Sequence, residues 1–236
     1  MTVYWTIEPE WLGQTAFIVG GGPSLRSIDL NVLRGQKIIA INTSYQVVPF
    51  ADFLLFADFN WWDHYSKQLD GFAGRLVCAS RTPMNPRLLM VRRKVPPGLD
   101  QPNDCLPIQY TTATGAMGLA VKLGAKKLVL LGIDGKVAED GKIHHHKSYP
   151  WPMIDGWQQR HRDDLQKMVA PLRHLGIEVV LATPSAYEDL WPLMPLSNLL
   201  PFREIADDKA EASINNQWSL GHGRQHLSET IRQKAL

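Results

Sequence analysis

Short apolar runs, each closed by a glycine or a polar turn, recur along most of the chain. They fall at residues 16–19, 37–42, 51–58, 75–79, 127–134 and 177–182. Each is rich in β-branched or aliphatic residues and short enough to be a strand. The apolarity is near-continuous rather than alternating, which suits strands covered on both faces. Between the runs lie segments with helical spacing at 59–69, 116–123 and 155–175, with a short helix or turn expected at 24–33 and a short helix at 185–191. Gly124 and Gly176 stand where two of these helices should stop. Strands alternating with helices predict an α/β fold, with a mostly parallel sheet, helices on both faces and right-handed crossovers.

Three segments escape this rhythm. Residues 1–13 carry Tyr4, Trp5 and Trp11 and read as a lead-in strand or arm. Residues 82–107 are rich in proline and basic residues and read as a loop or insertion. Past Pro201 the chain turns polar, with surface helices expected at 204–212 and 227–234. The expected division is one domain over 1–202 and a polar, partly helical C-terminal extension over 203–236.

Composition narrows the function classes. The 236 residues are 44% hydrophobic, enough for one substantial core. With 25 basic and 23 acidic residues the net charge is +2, so no global field favours nucleic acid. Arg87, Arg92, Arg93 and Lys94 form a local basic stretch, read as a solvated loop. Two cysteines, Cys78 and Cys105, make no disulfide framework and fit a reducing compartment. No signal-peptide pattern opens the chain and no run is long enough to span a bilayer, so a cytoplasmic protein is expected.

In open α/β sheets, ligands bind beyond the carboxyl ends of the strands. The first run exits into Gly20-Gly21-Gly22-Pro23-Ser24. Glycines allow close backbone approach, and successive N–H groups at such a turn can hold an anion. The alternative is a tight turn that needs glycine. The loop matches neither the dinucleotide-binding fingerprint nor a Walker A loop. Asn42, Asp58 and Asp134 end three other runs. The two carboxylates either cap the helices that follow, bind sugar hydroxyls, or hold Mg²⁺ between phosphates. The turn carrying Thr112, Thr114 and Gly115 offers a second helix N-terminus.

The segment 143–150 is loaded with imidazoles at His144, His145 and His146, followed by Lys147 and Tyr149. It follows Asp134 and so belongs at the same sheet edge. An imidazole suits proton transfer near neutral pH, and Lys147 or Tyr149 suits a developing phosphate charge. Two other readings stand beside this one. His144 and His146 share a side of an extended segment and could ligate a metal with Asp134 or Asp155, or the histidines simply decorate a surface loop. Trp61, Trp62 and Trp151 read first as packing residues and second as platforms for a base or sugar ring.

Gly20 to Leu25, Asp29 and the strand ending in Asn42 together resemble the opening of the bacterial sialyltransferases of glycosyltransferase family 42. Residues 111–134, with Leu123-Gly124 and Leu131-Gly132-Ile133-Asp134, resemble a second block of that family. The Gly-Pro-Ser signature also resembles MptE-like 6-hydroxymethylpterin diphosphokinases, and the opening resembles uncharacterised phage and prophage proteins. These resemblances imply a Rossmann-like fold. They further imply that Gly20, Gly21, Gly22, Pro23, Ser24 and Asn42 hold a nucleotide, CMP in the sialyltransferases. Thr112, Thr114 and Gly115 would approach it from the other side, and Asp58 falls where that family has an asparagine near the donor. His144 or His146 falls in the region that supplies the base, with Asp134 nearby. Gly21 replaces the family's loop asparagine, and Tyr149 is the one candidate for its phosphate-holding tyrosines.

The function expected is a nucleotide-dependent transferase with a CMP-type or other nucleotide-linked sugar donor. No resident metal is assigned. Mg²⁺ and ATP enter only under the diphosphokinase alternative, and a non-catalytic nucleotide-binding phage accessory protein is the third reading. The acceptor would be a glycan, a modified base or a small metabolite. The C-terminal segment could serve homo-oligomer contacts.

Overall fold

The computed structural model describes residues 3–80, 85–147 and 149–200. The surface helices expected beyond Pro201, and with them the extension, lie outside the described residues. Seven strands form one all-parallel sheet: β1 (Thr15–Val19), β2 (Lys37–Ile41), β3 (Phe53–Phe56), β4 (Arg75–Cys78), β5 (Leu88–Met90), β8 (Lys127–Leu131) and β9 (Glu178–Leu181). Their order is β5-β4-β3-β2-β1-β8-β9. The chain starts at the middle, walks outward through β2 to β5, then returns to lay β8 on the other side of β1. The crevice at the carboxyl ends of β1 and β8 is therefore the switch point where such folds take ligands.

Both faces are covered, as the apolar runs require. One face carries α2 (Thr112–Lys122) and α3 (Trp157–His174), packed over Ile18, Ile39, Leu55 and Leu130. Helix α3 offers a narrow buried stripe of Asp164, Leu165, Met168 and Leu172 and is mostly polar elsewhere. The other face carries α1 (Phe59–Tyr65) and short 3₁₀ turns, packed over Phe17, Ile38, Leu54 and Phe56. Trp61 and Trp62 belong to this packing, with their ring centroids 4.9 and 5.2 Å from Phe56. The N-terminal arm crosses the first face. It buries Ile7 and Trp11, and Trp5 N–H bonds Met90 O at 2.8 Å.

Residues 24–33, expected as a short helix or turn, form two 3₁₀ turns, Pro23–Ser27 and Leu30–Leu33. Two other expectations change. Residues 185–191 are turns. The stretch 82–107 holds β5 together with β6 (Arg92–Lys94) and β7 (Cys105–Pro107), which pair with each other in parallel. Strands of three residues are too short to show a period, and β6 is wholly charged. Among the described residues no helix is long and apolar enough to cross a membrane.

Candidate functional site

A cavity of about 850 Å³ opens at the carboxyl ends of β1, β2, β3 and β8. Its floor and walls include Gly20, Gly21, Gly22, Asn42, Asp58, Thr112, Asp134, His144 and Tyr149. That volume is in the range of sites for molecules of nucleotide-sugar size.

The glycine loop is built differently from an amide cradle. Gly20 N–H bonds Leu131 O and Gly22 N–H bonds Gly132 O, each at 2.8 Å. Ser24 N–H bonds Asp134 Oδ2 at 2.8 Å, and its hydroxyl donates to Oδ1 at 2.7 Å. Pro23 has no N–H, so only the Gly21 N–H is without a partner among the described residues. An anion here would meet one backbone donor rather than several. The glycines serve close approach instead. A Cβ on Gly22 would run into the Asp134 carboxylate, and one on Gly20 into Ile133 and the Gly132 backbone. Gly132 itself sits at φ +64, a conformation that glycine adopts freely.

Asp134 is buried at 3% exposure. Burial pushes its carboxyl up, and the two Ser24 bonds oppose that rise. It caps no helix. Asp58, at the start of α1, likewise makes no capping bond. Its surroundings desolvate it enough to push its carboxyl up, and Arg93 opposes this.

The histidine segment is pinned to the glycine loop by His145 N–H, which bonds Gly21 O at 2.9 Å. This turns His144 into the cavity. The rings of His144 and His146 stack at 4.8 Å and 5°. Burial, followed by the charge His146 would carry, lowers His144 to about 4, and His145 is lowered to about 4 for the same reasons. His146 is lowered too, by burial. His144 is thus neutral at pH 7 and able to accept a proton. Tyr149 stacks on Trp151 at 5.1 Å, and its hydroxyl accepts from Thr43 at 3.0 Å. Burial drives that phenol up to about 12. Trp151 lines the cavity, while Trp61 and Trp62 do not.

Several polar atoms at the wall have no internal partner. Asn42 Oδ1, Gln109 Oε1 and the Tyr187 hydroxyl are all buried and unbonded among the described residues. Asn42 also holds φ +50, uncommon for a side-chain-bearing residue. Buried polar groups are normally satisfied, so such a cluster fits a wall that awaits a polar ligand.

No protein-family model matches the chain, and no curated protein matches it. Solved structures do. A MAf glycosyltransferase from Magnetospirillum magneticum AMB-1 aligns over 91% of this chain and 39% of its own, with a TM-score of 0.56 at 17% identity. The chain thus spans about two fifths of that protein's length. The sialyltransferase CstII from Campylobacter jejuni, solved with cytidine-5'-monophosphate, aligns over 86% of this chain and 98% of its own, with a TM-score of 0.50 at 14% identity.

The fold is one that glycosyltransferases use. Identities this low speak for architecture alone, and the roles of particular residues rest on the cavity.

The structure separates the expected residues into two groups. Pro23, Ser24, Thr114, Gly115 and His146 do not line the cavity. Ser24 holds Asp134, and the Thr114 hydroxyl donates to Thr111 O at 2.9 Å within the first turn of α2. Gly115 admits Ile108, where a Cβ would clash. That helix starts at Thr112 under a Thr111 cap, so Thr112 to Gly115 are helical rather than a preceding turn. Among the described residues, no group of three or more His, Cys, Asp and Glu stands as a metal site.

Among the cavity residues that the sequence did not point to are three basic ones. Arg93 lay in the basic stretch read as solvated, and Lys136 carried no motif. His161, on α3 and far from the histidine cluster, also lines the wall. Burial lowers its imidazole, and Asp164 opposes the shift. Asp164 in turn fixes the approach to α2, accepting from Tyr110 N–H at 2.6 Å.

Proposed function

We propose that this protein transfers a sugar from a nucleotide-linked donor, CMP-type by preference, to an acceptor hydroxyl. The observation that carries the reading is the cavity at the β1/β8 switch point, whose wall presents buried, unpartnered polar atoms beside histidines held neutral. The fold shared with two glycosyltransferases supports it.

In this reading the nucleotide lies against the glycine loop, with Asn42 and Thr112 meeting its polar edges. The Gly21 N–H, Lys136 and the Tyr149 hydroxyl face the phosphate. The acceptor oxygen bonds the anomeric carbon as the bond from that carbon to the phosphate oxygen breaks. The electron pair leaves with the nucleotide phosphate, and the acceptor's proton passes to His144. His146 stacks behind His144 and holds its plane. His161 faces the same cavity and is the second candidate base. Asp58 accepts hydrogen bonds from sugar hydroxyls, and Asp134 keeps the loop in place through Ser24.

The test is a thermal-shift screen of the full chain against CMP, UDP, GDP and ATP, each with and without Mg²⁺, followed by product analysis. Stabilisation by CMP or UDP and release of that nucleotide from a sugar donor is the expected result. Strict Mg²⁺ dependence with AMP release would replace it with diphosphate transfer from ATP. Nucleotide binding without turnover across a donor panel would leave a non-catalytic binding protein.

A further inference from the structure

Tyr187 lines the cavity and has no task in the reading above. The residue is buried at 2% exposure, and its hydroxyl has no hydrogen-bond partner among the described residues. The turn that carries it, beyond β9, is tied to the exit of β8. Ala186 N–H bonds Asp134 O and the Ser185 hydroxyl donates to Ile133 O, both at 2.7 Å. Tyr187 N–H in turn bonds Ser185 Oγ at 3.1 Å. From the other side, Arg162 of α3 donates Nη1–H to Ala186 O at 3.1 Å and pairs with Asp189. The ring fits over Gly135, where a Cβ would collide with it. Phenylalanine would fill that space equally well. The hydroxyl adds no bond to the fold, and burying it unpaired lowers stability. Buried hydroxyls normally have partners, so this one points to a partner outside the chain itself.

Its surroundings say which ligand. Helix α3 places Trp157, His161 and Leu165 at i, i+4 and i+8, so one helix face looks onto the cavity on the same flank. The Arg162 strap holds that helix to the Tyr187 turn. Ile133 completes this flank from the exit of β8. The groups given to the donor stand across the sheet edge, with Asn42 after β2, Asp58 after β3 and Thr112 on α2, while β8 and β9 lie on the other side of β1. We propose that Tyr187 is an acceptor-binding residue, its hydroxyl donating to an uncharged oxygen of the acceptor apart from the oxygen that reacts. This rests on the glycosyl-transfer reading and adds to it the flank on which the acceptor lies. The ligand oxygen is uncharged because the Asp134 carboxylate acts on the phenol and would repel an anion. The cation that also acts on it, Arg162, is already paired with Asp189. Lys136 belongs to the phosphate in that reading. Burial drives the phenol up to about 12, so it keeps its proton and donates at pH 7.

The experiment compares the full chain with its Tyr187→Phe variant. Without ligand, the melting temperature of the variant should be equal or higher, because an unpaired buried hydroxyl goes and the packing of the ring stays. CMP titrated by calorimetry should bind both proteins alike. With CMP in excess, glycerol, myo-inositol and methyl β-glucoside are then titrated as neutral hydroxyl probes. At least one should bind the parent, and the variant should bind it about tenfold more weakly. A variant that melts lower or does not fold would overturn the proposal, since the hydroxyl would then have a partner inside the protein. So would a matching loss of CMP affinity, which would assign the hydroxyl to the donor. No response of the parent to any probe, or equal probe affinity in the two proteins, would overturn it as well. A parent that does not bind CMP fails the glycosyl-transfer reading and this proposal with it. One that binds CMP while Tyr187→Phe changes nothing fails this proposal alone.

Discussion

Ser24 gives Asp134 two hydrogen bonds across 110 residues of sequence, one from its amide at 2.8 Å and one from its hydroxyl at 2.7 Å. This pair, rather than a bound phosphate, shapes the glycine loop. Asp134→Ala would leave the Ser24 N–H without its acceptor and should cost about 1–3 kcal/mol of stability. Asp134→Asn keeps one acceptor oxygen and should cost less. Urea denaturation of both variants checks the order, and equal losses would contradict it.

The glycines differ in what stands over them. Gly22→Ala drives a methyl into the Asp134 carboxylate, whereas a Cβ on Gly21 comes no closer than 3.4 Å to His144 Nδ1. Overpacking of this kind costs about 1–3 kcal/mol. Gly22→Ala should therefore lower the melting temperature and abolish the nucleotide response. Gly21→Ala should fold like the parent, and any effect should fall on ligand binding. Matching melting curves for the two variants would argue against the loop geometry described.

Two histidines face the cavity, and one of them takes the proton under the glycosyl-transfer reading. Replacing the true base by alanine should lower turnover about 10²–10⁴-fold while the nucleotide thermal shift persists. His144→Ala is expected to do this, and His161→Ala to have the smaller effect. The reverse order would move the base to α3. His146→Ala should act only weakly, since its ring stands behind His144 rather than on the cavity wall.

Acid should destabilise the folded protein through the histidine segment. His144 and His145 are depressed to about 4 from an ordinary 6.5. Between those values the unfolded chain binds more protons than the folded one, so stability rises with pH across the window. It is fully present above about 6.5 and is lost as pH falls toward 4. A melting-temperature series from pH 4 to 8 should show that slope. His145→Asn should make it shallower, with the largest gain over the parent at the acid end. An unchanged slope would mean that these rings do not titrate as described.

Much of the architecture was legible in the sequence because its cause is local. Continuous apolar runs at 16–19, 37–42 and 127–134 can hardly be anything but buried parallel strands, and the polar stripe of α3 declares its exposed side. The same runs fixed which residues reach the carboxyl edge, so Asn42, Asp58 and Asp134 could be named in advance. The three-residue strands β5, β6 and β7 could not be, because so short a stretch carries no period and gains its hydrogen bonds only from distant partners.

Which atoms are free was decided by tertiary structure alone. The Gly-Gly-Gly-Pro-Ser string contains its amides but not their partners. Leu131, Gly132 and Asp134 take three of them only because β8 lies beside β1. The three adjacent histidines looked equivalent in one dimension, and one backbone bond to Gly21 turned His144 inward and His146 behind it. Arg93 and His161 carry no motif, and they became cavity residues when β6 and α3 closed over the sheet edge. Hydrophobic periodicity depends on the spacing of near neighbours, so a chain displays it. Hydrogen-bond satisfaction depends on pairs more than a hundred residues apart, so only the folded molecule does.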